Sequence, residues 1–393
     1  MNSAQHTEKL SEIADLNPSL AESLSSDEPV SFVPMSAVTA ETASTSHGEN
    51  RCYGEVSKGY TPFRDGDLLV AKITPCFENG KIAQATLTHR FGFGSTEFHV
   101  IRPKPGKADA RYLLHFLRQD RIRRDGERKM TGSAGQRRVP GHFLAGLSVP
   151  LPPLPEQRRI AEILDKADAL RAKRRAALAQ LDTLTQSIFL DMFGDPATNP
   201  KGWPVRKIED VAEIVSGATP RTDNEPYWDG DVNWVTPKEL STLESLYVGE
   251  TERRITRQGL ESCAASILPP GSVLFSSRAP IGHTAICTAP MATNQGFKSF
   301  VPRPDVMEPH FLLFWLRVRR SFLEGLGTGA TFKEVSKAVV ARIDLCVPPF
   351  DLQSQFARRV VALEGIRSVQ REEREQLDAL FASLQHRAFR GDL

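Results

Sequence analysis

The sequence is short of cysteine and has no long apolar run. Its 393 residues contain five cysteines, which are scattered and never form a Cys-x-x-Cys pair. This pattern argues against a disulfide framework and against a zinc site, and it suits a reducing cytoplasm. The N-terminus lacks a positively charged segment followed by an apolar one, and no apolar run approaches the length of a membrane span. We therefore expect a cytoplasmic protein with no membrane attachment.

Catalytic motifs are also missing. There is no G-x-x-x-x-G-K-[ST] phosphate loop, no H-E-x-x-H metal site and no G-x-S-x-G nucleophile elbow, and the nine histidines do not cluster at metal-ligand spacing. Residues 91–94 (FGFG) and 347–350 (VPPF) are the nearest approaches to methyltransferase motifs. The first precedes a predicted strand instead of following one, and the second lacks an Asn or Asp before its prolines. We therefore expect no catalytic residue and no metal on this chain.

Charge is balanced overall but unevenly distributed. The net charge is +2, yet residues 1–50 carry eight acidic and one basic residue, whereas residues 102–138 carry twelve basic and four acidic ones. A basic stretch within a neutral chain indicates a polyanion site on one face. A solvated helix face would produce the same pattern, so this signal alone does not decide between the two.

The sequence contains a long internal repeat. A shift of 196 residues places Pro152 on Pro348, Gln157 on Gln353 and, further along, Leu181 on Leu377. In both copies apolar residues recur at alternating steps of three and four, which predicts two long amphipathic helices over residues 151–196 and 348–393. Each helix needs a partner for its apolar face, and the other copy is the nearest candidate. The alternative is an amphipathic helix duplicated within a single core.

The segments before each helix share one order of elements. In the first, the pattern predicts strands at 67–74, 81–86, 97–101 and 147–151, a helix at 110–124 and a loop at 131–139. The second, from residue 197, repeats this order, with a short helix predicted at 208–215. The residues differ between the segments much more than the order of elements does. This pattern is typical of a duplicated recognition domain whose halves bind different targets.

Loops in both segments contain residues suited to DNA recognition. Short Gly/Ser/Thr loops can approach phosphates closely, and Arg, Lys, Gln and Asn can bond to base edges. For any one of these residues a purely structural role is at least as plausible as a base contact. The first segment supplies Lys72, Thr74, Asn79, Lys81, Gly132, Ser133, Gln136, Arg137 and Arg138. The second supplies Lys238, Ser277, Arg278, Gly282, Asn294, Gln295, Thr331 and Lys333.

Several motifs, in this order, carry a family resemblance. They are 151–157 (LPPLPEQ) with 160–164 (IAEIL), 193–196 (FGDP), 276–282 (SSRAPIG), 294–297 (NQGF) and, in the first segment, 71–81 (AKITPCFENGK). With them the chain resembles the specificity (S) subunit of a type I restriction-modification enzyme. Two features depart from that pattern: the second helix opens with PFDLQ instead of PLPEQ, and the first segment lacks an entry like Trp203-Pro204.

The resemblance implies an α+β fold with an internal pseudo-twofold repeat. Two α/β target-recognition domains, residues 1–150 and 197–347, would alternate with two long antiparallel conserved-region helices, residues 151–196 and 348–393, that form a coiled coil. Each domain would read one half of a split target in double-stranded DNA, and the helices would set the spacer between the halves.

The resemblance also implies partners and cofactors. Two methyltransferase (M) subunits would dock on the helices through positions that include Gln157, Ile160, Leu164, Gln353, Phe356 and Val360, and restriction (R) subunits would join them. S-adenosylmethionine, ATP and Mg would be bound by those subunits and none by this chain. Two alternatives stay open: the recognition subunit of another defence system, and a helical scaffold whose domains bind proteins.

Overall fold

The computed structural model describes residues 6–20, 22–45, 48–133, 135–278, 280–329 and 333–393. It contains two compact units. Unit 1 consists of Met1–Ala176 and Glu372–Leu393, and unit 2 of Ala177–Arg371. This division differs from the four segments predicted above, because each long helix contributes one part to each unit.

Unit 1 is built on three sheets. Their orders are β1-β12, β6-β3-β10-β7 and β2-β11-β8-β9-β5-β4, and only the pairs β3–β10 and β5–β9 run parallel. The central strand β8 is buried along its whole length, as its sequence LLVA requires. The strands are β1 Thr7–Lys9, β2 Ala14–Leu16, β3 Pro29–Val33, β4 Val38–Thr39, β5 Ser44–Thr45, β6 Glu49–Cys52, β7 Thr61–Arg64, β8 Leu68–Ala71, β9 Ile82–Gln84, β10 Phe91–Gly94, β11 Phe98–Pro103 and β12 Ser148–Pro150.

The helices of unit 1 are α1 Leu10–Ile13, α2 Tyr53–Val56, α3 Ala110–Leu117, α4 Asp120–Arg128 and α5 Gly141–Ala145, with the first part of α6 Leu154–Phe193. They pack against the sheet that contains β8, except α2, which packs against β3 and β6. The core combines Val70 of β8, Leu113 of α3 and Leu164 of α6 with Phe381 and Phe389 from the second long helix and the residues after it. Unit 1 is therefore completed by residues far away in the sequence.

Unit 2 repeats this order of elements. Its strands are β13 Val205–Lys207, β14 Ala212–Ser216, β15 Trp228–Val235, β16 Tyr247–Val248, β17 Arg254–Ile255, β18 Val273–Phe275, β19 Thr284–Cys287, β20 Met291–Thr293, β21 Lys298–Pro302 and β22 Asp344–Cys346. The sheet orders are β13-β22, β14-β21-β18-β19-β16 and β17-β15-β20. The run β14-β21-β18-β19 corresponds to β2-β11-β8-β9 of unit 1.

The helices of unit 2 also follow the order found in unit 1. They are α7 Ile208–Val211, α8 Pro237–Thr242, α9 Arg257–Glu261, α10 Pro309–Val318, α11 Arg320–Gly325, α12 Lys337–Ala341 and the first part of α13 Phe350–Ala388. An aromatic core holds the long helices against this unit. Phe189 of α6 lies 5.5 Å from Phe311 of α10 and 5.5 Å from Phe356 of α13, measured between ring centroids.

Two sequence predictions of helices are wrong in detail. The helix predicted over 110–124 is two helices, because Gln119 has an extended backbone and is the N-cap residue of α4. The helix predicted over 208–215 ends at Val211, and the chain continues as β14, which pairs with β21. In the second case sheet pairing with a distant strand overrides a short local helical pattern.

Among the helices that the structure describes, none is both long enough and apolar enough to cross a bilayer.

Candidate nucleic-acid interface

In unit 1 the backbone joins two of the predicted DNA-binding segments. The Thr74 N–H donates to the Arg137 carbonyl (2.9 Å), and the Val139 N–H donates to the Lys72 carbonyl (2.8 Å). Thr131 and Arg138 exchange backbone hydrogen bonds and close the loop between them. Lys72, Thr74, Gly132, Ser133, Gln136, Arg137 and Arg138 are thereby brought to one place.

Ion pairs already occupy both arginines of this loop. Arg138 donates through Nε (2.9 Å) and Nη2 (2.8 Å) to the Glu97 carboxylate, and this contact lowers the pKa of Glu97. Arg137 lies 3.8 Å from Glu78, which also accepts a hydrogen bond from the Thr74 hydroxyl (2.8 Å). The acids hold the arginines in position, and a phosphate would have to compete with them or share the guanidinium.

The tip of the loop is the part that is open to solvent. Gly132, Ser133 and Gln136 are exposed, and Gly132 has a positive φ of 123°. A Cβ at Gly132 would lie 2.8 Å from the Gln136 carbonyl oxygen, so the tight turn requires glycine. Ser133 and Gln136 are therefore the residues that this loop offers to a ligand without rearrangement.

Asn79 lies within the turn that follows Thr74, and Lys81 comes directly after that turn. Asn79 is exposed, whereas Lys81 is partly buried and donates through Nζ to the Met35 carbonyl (3.0 Å). Asn79 is available to a ligand, and Lys81 holds the turn against the segment around Met35.

Unit 2 contains the same junction with different side chains. The Ser277 N–H donates to the Gly296 carbonyl (2.8 Å), and the Val335 N–H donates to the Ser277 carbonyl (2.8 Å). These bonds match those that Lys72 makes with Glu97 and Val139 in unit 1. By this correspondence Lys72 is replaced by Ser277, Glu97 by Gly296 and Arg138 by Glu334.

In unit 2 the positions of the positive and negative residues of the ion pair at this junction are exchanged. Glu334 bonds to Thr328 as Arg138 does to Thr131, and it receives a contact from Lys298 at 3.2 Å. Unit 1 therefore places a cation on the loop and an anion directly before β11, whereas unit 2 places an anion on the loop and a cation on β21. Glu97, Glu78, Lys298 and Glu334 were not predicted from the sequence, because their partners are far away along the chain.

Two residues of the predicted set in unit 2 need correction. Ser277 is fully buried, and its hydroxyl donates to the Gly296 carbonyl (3.2 Å). Gly282 is buried at a φ of 97°, where a Cβ would lie 2.8 Å from Arg320 Cγ. In this conformation neither residue presents a side chain to a duplex, and both shape the loop instead.

The other predicted residues of unit 2 lie at or near the junction. Asn294 accepts a hydrogen bond from the Gly296 N–H (2.9 Å), and Gln295 is exposed and bonds to Thr219. Lys238 and Lys333 are exposed, and Arg278 is partly exposed and pairs with Glu334 through the backbone. Thr331 lies outside the described residues.

The predicted docking positions on the long helices are buried. Gln157 accepts a hydrogen bond from the Asp109 N–H (2.9 Å) and donates to the carbonyls of Lys107 (3.1 Å) and Pro152 (2.8 Å). Gln353 does the same with Glu308 N–H (3.0 Å) and with the carbonyls of Val306 (3.2 Å) and Pro348 (2.8 Å). Each glutamine therefore clamps its long helix to the start of α3 or α10.

The apolar docking positions also lie inside the units. Ile160 and Leu164 belong to the core of unit 1, and Phe356 and Val360 to that of unit 2. A partner would instead meet the exposed apolar side chains, which the sequence reading did not single out. These are Leu170 and Leu380 in unit 1 and Leu184, Leu190, Val361, Ile366 and Val369 in unit 2.

Within each unit the two long helices pair through matching charges and run antiparallel. In unit 1 Arg171 contacts Asp378 and Asp168 (3.0 Å from Arg171 Nη1), and Arg174 lies 2.8 Å from Glu373. In unit 2 Arg367 contacts Asp182 (2.7 Å) and Glu364 (2.6 Å). The shift of 196 residues relates Arg171 to Arg367, Asp168 to Glu364 and Asp378 to Asp182. The polar centre of each helix is therefore ion-paired.

Comparison with protein families gives a match over most of the chain. Residues 9–180 and 200–378 match the model described as the type I restriction modification DNA specificity domain.

Two curated relatives illustrate the similarity. The type I restriction enzyme MjaIX specificity subunit of Methanocaldococcus jannaschii is 33% identical over 186 residues, which are 47% of this chain and 43% of that protein. The EcoEI specificity subunit of Escherichia coli is 42% identical over 158 residues, which are 40% of this chain and 26% of that protein. The chain thus spans less than half the length of these two relatives.

Solved structures share the fold. A chain from a study of complex assembly and conformational transition of the type I R-M system has a TM-score of 0.57 and 22% identity, and the match covers 99% of this chain and 98% of that one. The S subunit of a type I restriction-modification system from M. genitalium has a TM-score of 0.56 and 13% identity, with 99% and 97% covered. At these identities the likeness shows the fold alone.

Proposed function

Because the chain belongs to the family defined by the type I restriction modification DNA specificity domain, we propose that it is the DNA-binding specificity subunit of a type I restriction-modification complex. Each unit reads one half of a split target in double-stranded DNA. The chain supplies recognition, and methyl transfer and cleavage are carried out by partner subunits that bind S-adenosylmethionine, ATP and Mg.

One observation carries the proposal: both units build the same loop junction from matching backbone bonds but give it opposite charges. A repeated frame with different side chains suits two readers of different half-sites. Ser133, Gln136, Arg137 and Arg138 are the main candidates in unit 1, with Lys72, Thr74 and Asn79 beside them. The candidates of unit 2 are Lys238, Arg278, Asn294, Gln295 and Lys333. Arginine, glutamine and asparagine can bond bidentately to guanine or adenine, which distinguishes half-sites.

The long helices complete this arrangement. We take α6 and α13 to form an antiparallel coiled coil with a pseudo-twofold relation, which the matching ion pairs at a shift of 196 residues support. Two methyltransferase subunits dock on the helices through the exposed apolar side chains, and restriction subunits join that complex. Because the six predicted docking positions are buried, their part is to hold the helices in place.

The experiment is methylome sequencing of a host that expresses this chain with its cognate adenine methyltransferase subunit. The control is the same host with the methyltransferase alone. A split N6-methyladenine motif should appear only when both proteins are present. If the two proteins associate and no new motif arises, the recognition role is refuted.

A further inference from the structure

Unit 2 contains a small cavity beside its paired long helices. Its volume is about 320 Å³, and it is lined by Arg317 and Phe314 of α10, Asp182 and Thr185 of α6, and Arg367 of α13. This volume lies within the range of small-ligand sites. Two guanidinium groups therefore meet in one concave site.

Arg367 is only partly satisfied at this site. It is 9% exposed, and its Nη2 and Nη1 atoms contact Asp182 (2.7 Å) and Glu364 (2.6 Å). Its Nε is buried and has no hydrogen-bond partner within the described residues. A buried donor without a partner is costly unless a ligand supplies an acceptor.

Arg317 has no acidic partner among the described residues. It donates through Nε to the Thr284 hydroxyl (3.0 Å) and through Nη2 to the Thr284 carbonyl (3.2 Å). Burial, and then the charge of Arg367, lower the pKa of Arg317 to about 10, so it is still a cation at neutral pH. Of the charged residues that line the cavity, two are arginines and one, Asp182, is an acid, so the lining carries an excess positive charge.

The equivalent place in unit 1 is also a cavity, of about 540 Å³, and Arg118, Arg171 and Phe381 are among the residues that line it. Arg118, which corresponds to Arg317, contacts Asp168 at 2.6 Å. The Phe381 ring lies 4.4 Å from the Arg171 guanidinium. The shift of 196 residues relates Phe381 to Thr185, so a small side chain stands in unit 2 where unit 1 has a ring. The two cavities differ in their ion pairs, because Arg118 contacts Asp168 whereas Arg317 has no carboxylate contact among the described residues.

The surroundings of the cavity indicate what enters it. The helices that line it also expose Leu184, Leu190, Val361, Ile366 and Val369. Exposed apolar side chains on the helices that also line a cationic pocket are typical of a protein-docking surface with a buried anchor. A planar carboxylate matches the fork of a guanidinium and would also provide an acceptor for the unpaired Nε.

We propose that this cavity receives an acidic side chain of the methyltransferase subunit that docks on the helices of unit 2. The inference rests on the proposed function and names the chemistry of that docking. The anchoring carboxylate binds between Arg317 and Arg367, and the exposed apolar side chains pack around it. In unit 1 the corresponding arginine, Arg118, already contacts Asp168.

The test is the dissociation constant between the full chain and its cognate methyltransferase subunit. Thr185→Phe places a ring in the cavity of about 320 Å³ and removes no charge. It should weaken binding by about tenfold or more, as expected for loss of an anchor. Thr185→Val is the matched control, because it keeps the size of threonine and leaves the cavity open, and its binding should stay within about twofold of the original.

A double-mutant cycle and the salt dependence of binding distinguish the loss of an ionic contact from a steric clash. Each acidic surface residue of the methyltransferase subunit is changed to alanine and combined with Thr185→Phe in a double-mutant cycle. One of them should weaken binding alone and have no further effect in the Thr185→Phe background. Arg317→Gln should also weaken binding and flatten its dependence on salt, with the thermal unfolding temperature of each variant recorded as a check on folding.

The outcomes distinguish failure of the cavity proposal from failure of the proposed docking role. Equal binding by Thr185→Phe and Thr185→Val overturns the cavity proposal, and so does a cycle in which no acidic residue couples to position 185. Failure of the unaltered chain to associate with the methyltransferase subunit would instead refute the docking role in the proposed function.

Discussion

The two units repeat their scaffold contacts residue by residue, but their loop junctions carry opposite charges. Gln157 and Gln353 make the same three hydrogen bonds, and Arg171 and Arg367 pair with equivalent acids. At the loop junction, Arg138 on Glu97 is replaced by Glu334 on Lys298. The contacts that hold helix to domain are therefore shared, whereas the contacts that orient the loops belong to each unit separately. This difference is what a duplicated protein needs if its halves are to bind different sequences.

The largest expected effect comes from removing a shared contact. Gln157→Ala or Gln353→Ala leaves a buried N–H and two carbonyls without partners, so each should lower the free energy of unfolding by about 2–3 kcal/mol. All four tryptophans lie in unit 2. Denaturant unfolding followed by tryptophan fluorescence should therefore respond to Gln353→Ala and much less to Gln157→Ala. Equal changes in fluorescence-detected unfolding for the two variants would contradict the view that each glutamine stabilises only its own unit.

A smaller effect, dependent on pH, should be confined to unit 1. His115 is buried and bonds to Asp165 (2.7 Å), whereas unit 2 has Phe314 and Val361 at the equivalent positions. Burial lowers the pKa of His115, although Asp165 opposes this. As the pH falls, His115 is therefore protonated at a higher pH in the unfolded chain than in the folded one. The contribution of His115 to stability is complete above about pH 6.5 and is lost as the pH falls below it.

His115→Phe tests this pH dependence by installing the residue of unit 2. Amide hydrogen exchange of unit 1 should accelerate less between pH 7 and pH 5.5 in the variant than in the original chain, after correction for intrinsic rates. Peptides from unit 2 serve as the internal control. A variant with an unchanged pH dependence would show that His115 is protonated equally in both states.

The smallest effect on stability should come from the loop ion pairs, which are partly exposed. Glu97→Gln or Lys298→Gln should change the free energy of unfolding by about 1 kcal/mol or less. Their effect on recognition should be larger and restricted to one half-site, because each pair orients one loop. Methylome sequencing of hosts expressing either variant with the methyltransferase subunit would show which half of the motif relaxes. If one variant relaxed the sequence specificity at both halves of the motif, the assignment of one half-site to each unit would be wrong.

The helices and the repeat were predictable from sequence, whereas the polar contacts were not. Periodicity predicts long helices over 151–196 and 348–393, and they run from Leu154 to Phe193 and from Phe350 to Ala388. The alignment of the two loop junctions was also accessible, because short motifs recur in the same order. The partners of Arg138 and Lys298 lie 41 and 36 residues away, and no local pattern indicates such pairs.

The buried glutamines show a second limit of sequence reasoning. Gln157 and Gln353 recur at the same place, and the family resemblance implied that they dock a partner. Their amides are buried instead, because each one pairs with an N–H and a carbonyl of the loop before α3 or α10 and with a carbonyl before its own long helix. Recurrence identified the right residues, but only the fold shows which surface they face.

The discontinuity of unit 1 has a consequence for the order of synthesis. Its core includes Phe381 and Phe389, which a ribosome makes after the whole of residues 177–371. Unit 2 is continuous and can close while the nascent chain is still growing, whereas unit 1, although it is translated first, must keep its unfinished core exposed until the second long helix emerges. We therefore expect unit 2 to fold before unit 1, which reverses the usual N-terminal-first sequence of folding during translation.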